Sequence, residues 1–184
     1  MWALISYKNK LPQNIFPTVA LPEKERDVFN HSYYQGLLVE IGNLKKFETF
    51  IPNQDKNKKI LDKTLGDISS QNTFYQFGYN NIVNRAKTID VCWFNVRKMP
   101  YDFFEVEHST DIYNSLLKFT ELQDYNANFF IVADRVRKNE YESKLGQSAF
   151  MPIKSRVQFM DYDKLSDLHA KASEIAILEK NLNL

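Results

Sequence analysis

Apolar residues recur at spacings of three and four between residues 22 and 46, where Phe29, Tyr33, Leu37, Ile41 and Leu44 fall on one face of a helix. Pro22 followed by Glu23 and Glu25 marks its start, because proline is tolerated in the first turn and acids suit the positive end. Gly36 and Gly42 weaken this helix locally but permit close packing. Before it, residues 1–21 carry Pro12, Pro17 and apolar residues without a period, and read as an irregular arm to a folded unit spanning 22–184. Residues 47–52 form a short strand pattern ended by Pro52. Residues 53–87 are a long connection, lysine-rich at Lys56, Lys58, Lys59 and Lys63, with FYQFGY at 74–79. Two readings stay open for it: a solvated loop with some helical turns, or a basic flap that touches a nucleic-acid backbone.

The pattern then changes. Residues 88–94 and 103–107 read as buried strands, joined by a hairpin link that carries Arg97, Lys98 and Pro100. Ser109 or Thr110 can cap the next helix, with Asp111 in its first turn. Ile112, Leu116, Phe119 and Leu122 share one face of that helix, broadened by Tyr113 and Leu117. Residues 129–133 are a continuous apolar strand, 135–145 a charged helix stopped by Gly146, and 156–160 a last strand. A terminal helix over 162–178 turns Leu165, Leu168, Ala172, Ile175 and Ala176 inward. The order predicts an α/β fold, a central mixed β-sheet flanked by helices. The strand–helix–strand unit from 103 to 133 is expected to be a parallel, right-handed crossover.

Composition narrows the class. The chain has 184 residues, 43% hydrophobic and 26% charged, values ordinary for a soluble globular domain. Its net charge of +1 carries no global signature of nucleic-acid binding, so any such surface must be local. The single cysteine, Cys92, excludes an internal disulfide and a multi-cysteine zinc site, and its apolar setting reads as a buried thiol. No stretch approaches the roughly 18 apolar residues of a membrane span, and the N-terminal apolar run is too short for a signal peptide. The expected location is the cytoplasm. Walker A, Gly-x-Gly-x-x-Gly, Gly-x-Ser-x-Gly and His-Glu-x-x-His motifs are all absent.

The candidate chemistry lies in TIDVCWF and FEVEHST. Glu105 and Glu107 share one face of their strand because residues two apart point the same way. If the neighbouring strand pairs with Asp90 beside Glu105, three carboxylates converge. Such a cluster repels itself unless a proton or a cation joins it. Oxygen ligands without cysteine favour Mg2+ or Mn2+ over Zn2+. The alternation FEVEH equally describes a half-exposed strand with both glutamates in water. Glu40, at the margin of the first helix's apolar stripe, reads from that helix alone as a boundary carboxylate. His108 alternates away from Glu107 and reads as a packed, hydrogen-bonded histidine, and Thr110, Tyr113 and Lys118 of the following helix are second-tier candidates, Lys118 lying far along it.

The segment from IDVCWF through PYDFFEVEHSTDIYNSLLKF to FFIVADRVR resembles the restriction-endonuclease-like, or PD-(D/E)xK, nuclease superfamily. It is most similar to bacterial nuclease-like domains that share IDV, FEVEHST and a following apolar strand. The resemblance spans about residues 22–165 and is strongest over 88–135. It implies a restriction-endonuclease-like core in the order αβββαβ and metal-dependent hydrolysis of DNA. By that resemblance Asp90 and Glu105 hold Mg2+ or Mn2+ with the Val106 carbonyl, and Glu107 stands where the family usually has lysine. Glu107 would then bind metal or orient the attacking water, and Glu40 would hold a metal-bound water or a second metal. Lys56, Lys58, Lys59, Arg97 and Lys98 are the candidate contacts to DNA.

The expected function is a metal-dependent endodeoxyribonuclease of a bacterial restriction or defence system, acting as a homodimer or within a larger assembly. The absent lysine and the small net charge motivate a second hypothesis, a catalytically degenerate module that binds nucleic acid or protein. A third is an interaction domain with no nucleic acid at all.

Overall fold

The structure, a computed structural model, describes residues 23–182, with side chains described from Asn30 onward. The expected N-terminal arm, Pro22 and the side chain of Phe29 lie outside the described residues. Helix α1 runs Glu23–Leu44, followed by strand β1, Glu48–Phe50. The long connection contains a small hairpin, β2 (Lys59–Ile60) and β3 (Lys63–Thr64), and two short helices, α2 (Leu65–Ile68) and α3 (Asn80–Ala86). Strands β4 (Val91–Phe94) and β5 (Pro100–Glu107) form the central hairpin. Helix α4 (Ile112–Glu121), strand β6 (Asn128–Ala133), helix α5 (Lys138–Leu145), strand β7 (Val157–Asp161) and helix α6 (Tyr162–Leu182) complete the chain.

The main sheet has five strands in the order β1-β4-β5-β6-β7. β1, β4 and β5 are antiparallel neighbours, and β5, β6 and β7 are parallel. The expected parallel crossover is therefore β5–α4–β6. Taken in chain order, α1, β1, β4, β5, α4 and β6 form the αβββαβ core of the restriction-endonuclease-like fold, with β7 added at the edge.

Strand alternation makes two cores. Val91, Trp93, Phe104, Val106 and Val132 face α1 and α6, where Leu37, Leu38, Ile41 and Leu165 meet them. Cys92, Phe94, Phe103, Phe129 and Ile131 face α4, whose Ile112, Leu116, Phe119 and Leu122 are fully buried as its periodicity predicts. Leu117 departs from that expectation and is exposed, while Tyr113 packs on Phe150 with ring centroids 5.2 Å apart. Ile175 likewise lies exposed on α6 rather than inward, beyond the stretch of α6 where Tyr162 stacks on Tyr34 and His169 pairs with Glu40 of α1.

Helix α1 is buried on more than one stripe because it meets the sheet, α6 and the β2–β3 hairpin. Trp93 Nε1 donates to the Leu38 carbonyl at 3.1 Å, and the indole lies over Gly42 so closely that a Cβ there would sit 2.7 Å from Nε1. The helix ends two residues before Lys46, which takes a left-handed φ of 65°. Phe47 N–H then bonds the Gly42 carbonyl at 2.9 Å and Lys46 N–H the Asn43 carbonyl at 3.0 Å, a Schellman closure with lysine where glycine is usual.

The 53–87 connection contains the expected helical turns, α2 and α3, but it is more than a solvated loop. Ile60 and Leu65 are buried against α1, and Phe74, Tyr75 and Phe77 pack around Phe50 and Phe94. The aromatic stretch therefore belongs to the core and not to a flap. Among the described residues, no helix is long and apolar enough to cross a membrane.

Candidate functional site

Asp90 immediately precedes β4, and Val91 pairs with Phe104, so Asp90 comes level with Glu105 at the end of the sheet away from the β4–β5 turn. Its Oδ2 accepts the Val106 N–H at 2.8 Å. The N–H and C=O of one strand residue point to the same neighbour, so the Val106 carbonyl also lies on the Asp90 side of β5. Glu105 and Glu107 are both buried, which removes the half-exposed reading of FEVEH.

The buried charge is compensated from α4. Lys118 Nζ lies 2.8 and 2.9 Å from the two Glu105 oxygens and 3.1 Å from the Thr88 carbonyl. Ser115 Oγ lies 3.0 Å from Glu105 and also donates to Glu107, whose other oxygen accepts from Thr110. Ser115 has one proton for two carboxylates. That scarcity agrees with the Glu105 carboxyl being held well above its usual range, by burial first and by the Asp90 charge next, against the pull of Lys118. Lys118 loses hydration on burial, but the surrounding carboxylates, Glu105 foremost, outweigh that and raise its pKa. The helix cap differs from expectation: Asp111, not Ser109 or Thr110, accepts the Tyr113 N–H at 2.9 Å, and Thr110 serves Glu107 instead.

From the other side, α1 presents His31 and Gln35, one turn apart. His31 Nε2 is 3.6 Å from Asp90 Oδ1. Gln35 Nε2 donates to Asp55 Oδ2 at 2.9 Å and to the Asp90 carbonyl at 3.2 Å. Asp55, in the turn after β1, also receives Lys58 at 2.7 Å.

The structure thus brings Asp90, Glu105, Glu107 and the Val106 backbone to one end of the sheet. It does not bring Glu40 there. That carboxylate pairs with His169 of α6 at 2.6 Å, on another face of α1 from Gln35. Among the basic residues, Lys58 is at the cluster through Asp55. Lys56 reaches the Asn72 carbonyl at 2.7 Å, and Lys59 is exposed in β2. Arg97 and Lys98 sit in the β4–β5 turn at the opposite end of those strands, where Lys98 Nζ lies 5.3 Å from the Tyr75 ring centroid. His108 is packed as expected, its Nδ1 3.3 Å from the Tyr162 hydroxyl. The Cys92 thiol is fully buried and its pKa is pushed far up by that burial, with Glu105 and Asp90 adding to it.

Lys118 lies far along its helix in sequence, yet the geometry of a crossover helix brings it to the carboxylates. Six residues separate Ile112 from Lys118, a rise of about 9 Å. A helix returning along its strand therefore passes back over about three strand residues, which is the neighbourhood of Glu105. The i, i+3 spacing of Ser115 and Lys118 was the visible signal. His31 and Asp55 carried none, because their pairing with Asp90 spans separate parts of the chain.

A five-stranded mixed sheet with an αβββαβ core, two buried glutamates on its middle strand β5 and Asp90 beside them just before β4 defines a domain of the restriction-endonuclease-like class. The chain belongs to the family described as the type II restriction enzyme NmeDI C-terminal domain, whose model matches residues 11–182. It is similar to the type II restriction enzyme NmeDI of Neisseria meningitidis serogroup C, with 24% identity over 196 aligned positions that cover 95% of this chain and 54% of the relative. The chain therefore spans about half the length of the curated relative it matches. No solved structure matches it.

Proposed function

We propose that this domain is a metal-dependent endonuclease of the PD-(D/E)xK type that hydrolyses DNA phosphodiester bonds in a bacterial restriction or defence system. The observation that carries the reading is the Lys118–Glu105 pair. The lysine missing from the strand, where Glu107 stands, is supplied in space by α4.

The donor set fits Mg2+ or Mn2+. Asp90, Glu105 and the Val106 carbonyl offer oxygen alone, and the two carboxylates converge at one end of the sheet, where the Asp90 charge adds to burial in raising the pKa of Glu105. Bound there, the ion would lower the pKa of water and neutralise charge on the phosphate. Lys118 would orient the attacking water and stabilise the pentavalent phosphate, with Glu105 holding the ammonium in place. Ser115 and Thr110 would fix Glu107 as the second acceptor on Lys118's side of the site. Lys58, which pairs with Asp55, and the exposed Lys59 next to it in the chain would contact the DNA backbone. The domain would act in the cytoplasm, as a homodimer or within a larger assembly.

A second reading is a module of this fold that binds DNA without cutting. It is favoured by the saturation of Glu107, which Ser115 and Thr110 already satisfy without metal. Cleavage of supercoiled plasmid with Mg2+ and with Mn2+ separates the two. The nuclease reading requires metal-dependent nicking that is lost in Asp90→Ala, Glu105→Ala and Lys118→Ala. Gel retardation of DNA by a wild-type protein that nicks under neither metal would replace it with the binding module.

A further inference from the structure

We propose a second metal site on the α1 side of Asp90, in which His31, Asp55, Asp90 and the Gln35 side-chain carbonyl hold a transition-type divalent cation, Mn2+ or Co2+ in preference to Mg2+. Two independent observations carry it. First, one ligand atom from each of His31, Asp55 and Asp90 lies within 4.8 Å of the others, the only such three-residue group among the described residues. Second, Gln35 is fully buried and its Oε1 is the one buried side-chain atom, among the described residues, without a hydrogen-bond partner.

The orientation of Gln35 is set by its neighbours. Its Nε2 meets two acceptors, Asp55 Oδ2 and the Asp90 carbonyl, so the amide cannot be turned round without placing oxygen against oxygen. The oxygen of the same amide is left beside the cluster as an orphaned acceptor. Buried acceptors of this kind are uncommon, and an ion is one of the few partners that satisfies them. His31, Asp55, Asp90 and Gln35 together offer one imidazole nitrogen, two carboxylates and one amide oxygen. The two negative charges match a divalent ion, and the imidazole tilts the choice toward Mn2+, Co2+ or Zn2+ and away from Mg2+ and Ca2+.

Two features bear on occupancy. Lys58 Nζ lies 2.7 Å from Asp55 Oδ1, so an ammonium already neutralises one ligand and must swing away when a cation enters. Asp90 uses its other oxygen, Oδ2, for the Val106 N–H, which leaves Oδ1 facing His31. Asp90 is thus shared between this site and the proposed nuclease centre, while His31, Gln35 and Asp55 belong to this site alone.

The test is direct binding without DNA, so that a protein that fails to cut leaves it standing. Mn2+ is titrated by calorimetry and Co2+ by visible absorption, on wild type and on His31→Ala, Asp55→Asn, Lys58→Ala and Glu105→Gln. The expected result is a Mn2+ site that His31→Ala and Asp55→Asn weaken by more than the roughly 10–100-fold that loss of an outer-shell partner costs. Glu105→Gln keeps that site, and Lys58→Ala tightens it because a competing cation is gone. The Co2+ spectrum of wild type should change in His31→Ala, marking loss of a nitrogen ligand. Far-ultraviolet circular dichroism confirms that each variant is folded, and His31→Gln replaces His31→Ala if the latter is not. Absence of a Mn2+ site in wild type, or a site that only Glu105→Gln abolishes, overturns the proposal.

Discussion

The ammonium of Lys118 and the carboxylate of Glu105, 13 residues apart in the chain, meet at 2.8 and 2.9 Å across the β5–α4 junction. The strand lacks a lysine two residues after its first glutamate, and this contact returns one from a different element. Removing Lys118 leaves a fully buried glutamate facing Asp90 with no cation. Lys118→Ala is expected to cost about 3 kcal/mol of stability and to abolish metal-dependent cleavage. The double variant Lys118→Met/Glu105→Gln should recover most of the stability and none of the cleavage. Urea denaturation and plasmid nicking check both parts, and a Lys118→Ala protein that nicks like wild type would remove Lys118 from the site.

His31 makes the metal-free protein sensitive to pH. Burial lowers the pKa of its imidazole, but the hydrogen bond and charge of Asp90 outweigh that and raise it above 6.5. A raised pKa in the folded state means the contribution is full below the unfolded value of 6.5 and is lost as pH rises through the folded one. Glu105 acts in the same direction from a lower start, since its pKa is raised above 4.5. Stability measured in chelator should therefore fall as pH rises above the unfolded histidine value of 6.5, and His31→Gln should flatten that fall.

Gly42 and Gly36 separate rigid from yielding contacts. A Cβ at Gly42 would lie 2.5 Å from Thr49 Cγ2 and 2.7 Å from Trp93 Nε1, and the indole is tied to the Leu38 carbonyl. At Gly36 the closest atom is the terminal Cδ1 of Ile60, at 1.9 Å, in a short hairpin that can shift. Gly42→Ala should destabilise by about 1–3 kcal/mol, and Gly36→Ala by less, in thermal melts of the two variants.

Lys46→Gly should stabilise the protein by about 1 kcal/mol, because φ of 65° strains a residue with a Cβ and the Schellman bonds use only backbone. The thermal midpoint should rise by about 2–4 °C.

Glu40 is bound to His169 and half-exposed. Glu40→Gln should cost no more than about 1 kcal/mol and leave plasmid cleavage intact, whereas Glu105→Gln abolishes it. Loss of cleavage in Glu40→Gln without loss of folding would return this glutamate to the site.

Much of this architecture is legible in the sequence. The period of α4 places Ile112, Leu116, Phe119 and Leu122 in the core, and the strand–helix–strand unit is parallel as its length requires. Asp90, Glu105 and Glu107 were legible as a group because strand alternation and hairpin pairing are local rules. Ile175 misled, since an apolar residue at helical spacing is buried only where a partner covers it. The aromatics at 74–77 misled for the converse reason: they have no period, and their burial comes from the Phe50 and Phe94 rings that the fold sets beside them.

The sequence by itself determined the long helices, the strands of the main sheet and the carboxylates at the start of β4 and on β5, because periodicity and alternation act between residues close in the chain. Only the tertiary structure decided which charges meet those carboxylates. Lys118 reaches Glu105 because α4 runs back along β5, His31 and Gln35 reach Asp90 because α1 packs along β4, and Asp55 joins them from a turn after β1. Each of these contacts depends on how elements pack, and a buried charge selects its partner by distance in space, which local sequence pattern does not encode.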